Sequence, residues 1–477
     1  MASFIELRFT TKRAWVASLV LFTMGSLLCG LSPAFWVLVV GRLLQGIGGG
    51  VLFPIVMSAL LNAFPEDERG AAMGLLIVPV VAGPAFGPTI GGYIITHLDW
   101  RWVFLVNLPV GVVAVAAPAL LLRPSQPRLD ARFDAMGVIL SSLAFGSILY
   151  GLSQLSRDGW GSPIVRGLVS VGLLSLTIFC VYEARRDEPL LDVRLFALPR
   201  FLVANVVTWV STVALLGAEF MLPLYLQDLR GLTALDTGLL LLPQGLAVGI
   251  AGPLAGRLVD RIGARPVVLA GCLLLALNTW DLSHITMATS YETLRWLLVM
   301  RGVALGLAMT PTQLVGLAVV PERLRTNASS LFTAMKSVFS SFGVAVLATM
   351  VQTQTAVHTA ILSWQVRPGT MPGSTVDHFA ALLHAHASLA ASAAQPLAIE
   401  IMMGQIERQA AVLAFGDAYG ATFFAALLAV ALATLLPGCD VQVDRSATGD
   451  VTAELGQVAR DVPAHSGGLA TSGSGSG

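Results

Sequence analysis

Charge is scarce in this chain: Asp, Glu, Lys and Arg make up 12% of its 477 residues, where a soluble domain carries about 25%. Basic and acidic residues also balance, 28 against 28. No global field therefore points to nucleic acid, and no basic tract has the aromatic interleaving of a nucleic-acid groove. Cysteine is nearly absent. Cys29, Cys180, Cys272 and Cys439 stand singly in or beside apolar runs, which implies neither a disulfide framework nor a metal spacing. No Gly-rich loop ending in Lys-Ser/Thr is present, so any work the protein does is not driven by an ATPase of its own. No Ser/His/Asp constellation and no HExxH pattern falls in a loop large enough for an enzyme site. His384 and His386 read as solvated surface rather than as a metal pair.

What the chain does have is apolar length. Hydrophobic residues make up 55% of it and the mean hydropathy is +0.78. Runs such as Ala14–Leu31, Phe35–Phe64, Trp102–Leu122 and Ala418–Pro437 reach the roughly 20 residues that cross a ~30 Å hydrocarbon core as helix. Lipid admits only helices or closed barrels, and these runs do not alternate as barrel strands do. Breaks at polar, Gly and Pro positions predict an all-α integral membrane bundle of about 12 spans, near 14–31, 35–62, 70–96, 102–122, 135–155, 165–184, 201–226, 235–256, 264–285, 293–319, 327–352 and 418–437. Arg and Lys concentrate in alternate connections, which places those connections and both termini in the cytoplasm. On that path residues 353–417 form a long extracytoplasmic loop with room for a surface helix, and the Gly/Ser-rich residues 441–477 form a disordered cytoplasmic tail.

Three local patterns carry more than length. In Gly256-Arg-Leu-Val-Asp260-Arg261-Ile-Gly263-Ala-Arg265, Gly256 permits close approach of helices, Asp260 can pair with a basic side chain or a helix N-terminus, and Gly263 suits a tight turn. A plain short loop would satisfy charge alternation alone. Gly83-Pro84-Ala-Phe-Gly87-Pro88-Thr-Ile-Gly91-Gly92 sets glycines four apart on one helix face, with two prolines that weaken the hydrogen-bond ladder. Generic small-residue packing is the plainer account of it. Gly41-Arg42-Leu-Leu-Gln45-Gly46 puts a guanidinium inside an apolar span, at about 2.5–3.5 kcal/mol if central. Arg42 either finds a partner there or snorkels to the interface.

With these residues in view, the chain resembles the major facilitator superfamily. Within it the chain is similar to the fourteen-helix drug:proton antiporters of the EmrB/QacA type, whose signatures are matched by Trp100-Arg-Trp-Val-Phe104-Leu-Val-Asn107-Leu-Pro109-Val-Gly111 and by Pro189-Leu-Leu-Asp192-Val-Arg194-Leu-Phe196. The resemblance implies that Gly256, Asp260, Arg261, Gly263 and Arg265 form a cytoplasmic latch. It implies that Gly83, Pro84, Gly87, Pro88, Gly91 and Gly92 form the antiporter motif, and that Arg42 takes part in proton transfer. Phe4 to Arg13 is similar to the end of a first latch, with Thr10 where glycine is expected, so the pattern reads as fourteen helices minus the first two. The first helix of that pattern usually carries a buried acid, which leaves the partner of Arg42 open.

Among the acids left within spans, Glu219 stands out, two turns inside the outer end of its helix. An ionisable group at depth is costly and is a functional candidate by default. Glu219 could exchange a proton, or it could be a carboxylate paired at the rim. Gln45, Gln244 and Gln313 could line a cavity or only bond helix to helix. The expectation is a major facilitator bundle with residues 1–124 as an incomplete N-terminal bundle, 125–197 as two additional helices and 198–440 as the C-terminal bundle. It is expected to sit in the cell (inner) membrane and to export small lipophilic or cationic molecules on a proton gradient, with no other cofactor and with a periplasmic adaptor protein as a candidate partner. The alternative is a folded membrane protein that does not transport.

Overall fold

The computed structural model describes residues 11–63, 83, 86–121, 134–186, 191–320, 324–365, 378, 381 and 391–436. Eleven of its helices are long and apolar enough to cross a membrane. In chain order the helices are α1 Thr11–Gly30, α2 Phe35–Ala63, α3 86–97, α4 Trp102–Leu105, α5 Asn107–Leu121, α6 Ala135–Asp158, α7 Pro163–Ala184, α8 Pro199–Leu229, α9 Ala234–Ile262, α10 Ala264–Ser283, α11 Tyr291–Ala318, α12 Arg325–Gln365 and α13 Ala391–Ala433. Most of the span expected at 70–96 lies outside the described residues, α3 being its end. Large apolar side chains such as Trp36, Leu120 and Phe424 are 74%, 82% and 70% exposed. Such exposure is affordable only where the surrounding solvent is lipid.

Local sequence explains the helix limits. Asp134 and Thr233 cap α6 and α9 by accepting from Gly137 and Asp236 backbone N–H groups. Proline opens α7 and α8 at positions where its missing N–H costs nothing. Gly263 alone connects α9 to α10, at φ +83 and ψ 164, a region open essentially to glycine. Close helix contact also follows from glycine. A Cβ at Gly25 would sit 2.6 Å from the Gly41 carbonyl oxygen and one at Gly48 2.5 Å from that of Ser18, so α1 and α2 touch backbone to backbone.

α8 to α13 pack on one another, α1 packs on α2 and α5, and the α6–α7 hairpin lies against α12. Asp134 fastens that hairpin. One of its oxygens accepts from the Tyr182 hydroxyl and from Arg186, both at 3.0 Å. On the other side α3 meets α9: the Thr89 hydroxyl donates to the Gly238 carbonyl at 2.9 Å. The region expected as a loop from 353 is helical at both ends, because α12 continues to Gln365 and α13 begins at Ala391. Ala391–Asp417 is rich in Ala, Gln and Met, good helix formers, and neither it nor Thr353–Gln365 forms a continuous apolar run. His358 Nε2 and Asp417 Oδ2, 2.8 Å apart, join the two extensions.

Candidate functional site

The polar centre of the C-terminal helices is built on an irregular α8. This helix departs from α geometry in two π turns, Val213–Gly217 and Tyr225–Leu229, of the kind that often mark functional sites. Glu219 lies on the regular stretch between them and is partly buried. Its Oε1 accepts from Gln244 Nε2 of α9 at 3.0 Å. Gln244 is 4% exposed, so the bond is held inside the bundle.

Opposite stands Arg301 of α11, 2% exposed. Its guanidinium donates to the Leu215 carbonyl of the first π turn at 2.5 Å, and its charge acts on Glu219. Tyr419 of α13, 1% exposed, donates to the Ala218 carbonyl at 3.4 Å and feels both charges. Four helices thus converge on one part-buried carboxylate and one buried guanidinium. Such groups are tolerated in a membrane only when each compensates the other.

Arg42 belongs to a second centre. It is exposed on α2 into a cavity of about 380 Å³ lined by Phe22, Gln45, Gly46, Val103, Phe104 and Asn107. Its partners are neutral: Gln45 Oε1 at 3.4 Å and the Phe104 ring, whose centroid is 4.6 Å from the guanidinium carbon. Gln45 is itself buried and donates to Ser26 Oγ at 2.6 Å. Gln45 and Gln244 therefore sit in different centres. Gln313 lies twelve residues along α11 from Arg301, roughly 18 Å of helix rise, and joins neither.

Within the glycine run, Gly92 is buried against the Ala234 backbone and Pro88 backs onto Gly238, whereas a Cβ at Gly83, Gly87 or Gly91 would meet nothing within 4 Å among the described residues. Pro84 lies outside the described residues. Gly256 lies on α9, Gly263 forms the turn, and Arg261 and Arg265 point outward on either side of it. Asp260 lies in the last turn of α9.

Two charges within spans were not among the expected site residues, Arg301 and Lys336 of α12. The signal for both is a single cation inside an apolar run, in Leu-Leu-Val-Met-Arg301-Gly-Val-Ala and in Phe-Thr-Ala-Met-Lys336-Ser-Val-Phe. No group of three or more His, Cys, Asp or Glu able to hold a metal occurs among the described residues.

The profile of the Major Facilitator Superfamily matches residues 2–344. The Uncharacterized MFS-type transporter YhcA of Bacillus subtilis is 34% identical over 358 residues, 75% of this chain and 67% of that protein. The Lincomycin resistance protein LmrB of Listeria innocua is 32% identical over 326 residues, 68% and 69% of the two chains. The Multidrug resistance protein B homolog of Mycobacterium tuberculosis is 31% identical over 381 residues, 79% and 70%. Among solved structures, a POT family transporter has a TM-score of 0.52 at 14% identity, covering 91% of this chain and 82% of its own. The human organic anion transporter MFSD10 has a TM-score of 0.53 at 14% identity, covering 89% and 79%; at such identity the likeness is one of fold alone. By its helical membrane architecture, its buried charges and its sequence over residues 2–344, the chain belongs to the Major Facilitator Superfamily.

Proposed function

We propose that this transporter is a proton-coupled antiporter that exports small lipophilic or cationic compounds, using the proton gradient as its energy source. The observation that carries the coupling is Glu219, held by Gln244 at 3.0 Å and acted on by the buried Arg301. In its ionised form Glu219 offsets Arg301. Protonation removes that compensation, leaves the guanidinium short of a counter-charge, and so changes which packing of α8 against α9 and α11 is favoured. A substrate entering the space between the N-terminal and C-terminal helices from the inner side would be released on the other side as the halves rock. Relatives named for lincomycin resistance and multidrug resistance support drugs as the substrate class.

In this reading the protein sits in the inner membrane with both termini cytoplasmic, Gly256 to Arg265 closes the inner face as a latch, and the run from Gly83 to Gly92 is the antiporter element. Arg42, with only neutral partners among the described residues, is the second charge of the pathway. A periplasmic adaptor would extend the route in a two-membrane cell. The test is uptake of a fluorescent cationic dye into inverted vesicles under an imposed pH gradient. Wild-type uptake should collapse with an uncoupler, and Glu219→Gln should abolish it while insertion stays normal. Gradient-driven uptake undiminished in Glu219→Gln would remove this residue from the mechanism.

A further inference from the structure

α12 carries a hydroxyl-rich face within an apolar span. Ser329, Thr333, Lys336 and Ser340 recur at spacings of four, three and four residues and so share one side of the helix. α8 faces α12 with a polar row of its own, Asn205, Trp209 and Thr212. The two helices are fixed against each other at the C-terminal end of this stretch. Trp209 stacks on Phe339 with centroids 4.8 Å apart and planes 8° from parallel, and a Cβ at Gly343 would lie 3.0 Å from Val213 Cα. Lys336 is one turn from Phe339, on the same side of α12 as Gly343.

The polar atoms here are unspent. Asn205 Oδ1, Trp209 Nε1, Thr212 Oγ1 and Ser329 Oγ are buried with no hydrogen-bond partner. Other span hydroxyls, those of Thr208, Thr279, Thr312 and Thr349, bond to the carbonyl one turn back, the ordinary way to satisfy such a group in a helix. Thr212 and Ser329 do not. Lys336 is part-buried, and no carboxylate among the described residues pairs with it. Glu219 is not its counterion. Gly217 abuts Gly343, so helix rise separates the levels of Glu219 and Lys336 by roughly 13 Å.

We infer that the seam between α8 and α12, at the level of Lys336 and Trp209, binds an anionic oxygen group, a carboxylate or its equivalent, on the transported molecule. An ammonium, an indole N–H and hydroxyls present donors, and the Trp209–Phe339 stack offers an aromatic wall, so the occupant is an aryl or otherwise amphipathic acid or zwitterion. Lys336 stands eleven residues into α12, about 16 Å along the helix and near the middle of a ~30 Å core. A lipid phosphate is anchored at the interface and does not reach that depth. This inference rests on the chain being a transporter and, among lipophilic substrates, selects those that carry an acid group, zwitterions included.

The test is equilibrium binding to the purified full chain in neutral detergent, with no gradient, using naphthaleneacetate and its neutral amide as probes. Wild type should bind the carboxylate at least about tenfold more tightly than the amide, as a hydrogen bond to a charged group implies. Lys336→Met should erase that preference and Lys336→Arg should keep it, both eluting as the wild type does. Equal affinities in wild type, or a preference that survives Lys336→Met, would overturn the assignment. Phosphatidylglycerol that displaces the acid from wild type would make this a lipid site and overturn it too. The outcome is separable from that of the antiport proposal: a carboxylate preference without gradient-driven dye uptake leaves this site standing and removes the coupling.

Discussion

Replacing Arg301 by methionine removes a buried guanidinium while keeping much of its volume. The structure gives that guanidinium one carbonyl acceptor, Leu215, and leaves its Nε unbonded, so its hydrogen bonds alone do not account for the energetics. The larger factor is Glu219, which loses its compensating charge. No Arg301–Glu219 contact within ion-pair range occurs among the described residues. At an effective dielectric of about 20, opposite charges just beyond that range couple by about 2–3 kcal/mol. Arg301→Met and Glu219→Gln should each destabilise the protein alone, and the double variant should lose about 2 kcal/mol less than the sum of the two. The assay is unfolding by SDS titration in mixed micelles, followed by circular dichroism, over the four members of the cycle. Additivity to within about 0.5 kcal/mol would refute the idea that the two charges compensate each other, and with it the structural basis of the coupling proposal.

Other outcomes follow from single contacts. Gly263→Ala forces a side chain into φ +83, ψ 164 and should cost about 1–3 kcal/mol, seen as a lower melting temperature in detergent; an unchanged melt would mean the α9–α10 turn relaxes freely. Gly25→Val should block the α1–α2 contact and sharply lower the yield of folded protein. Gly46→Ala, where a Cβ meets nothing within 4 Å, should leave the yield unaltered, and equal losses at both sites would discredit the packing. Gln45→Leu strands Ser26 and removes a partner of Arg42, an expected loss of about 1–3 kcal/mol in the same titration. Asp417→Asn breaks only a part-exposed pair with His358 and should cost at most about 1 kcal/mol.

The bundle was legible because a span is a one-dimensional property: some twenty apolar residues announce a crossing wherever they end up in space. The same averaging hid what matters most inside it. Arg301 and Lys336 each sit in windows whose hydropathy remains that of a span, so a count of crossings passes over them. Glu219 and Gln244 could each be singled out by polarity at depth. Their pairing depends on a π turn that shifts the helix register, which no periodicity of the sequence displays. The extensions of α12 and α13 were harder to bound for the opposite reason, since helix outside a continuous apolar run looks like loop to a scale that weighs only transfer into lipid. Arg42 and Gln45 stand three residues apart, and their contact follows directly from helix geometry, although the sequence reading left the partner of Arg42 open.

The junction between α9 and α10 has a length of one residue. A linker of one keeps the two helix ends together: whatever displaces the end of α9 displaces the start of α10 with it, and the angle between the helices turns on the two backbone dihedrals of Gly263 alone. Spectroscopic labels at Arg257 and Arg265, one on each side of that residue, would therefore read the angle directly. A distance that changes between states of the protein would mark Gly263 as a pivot, and a constant one would make the pair a ruler for movements elsewhere.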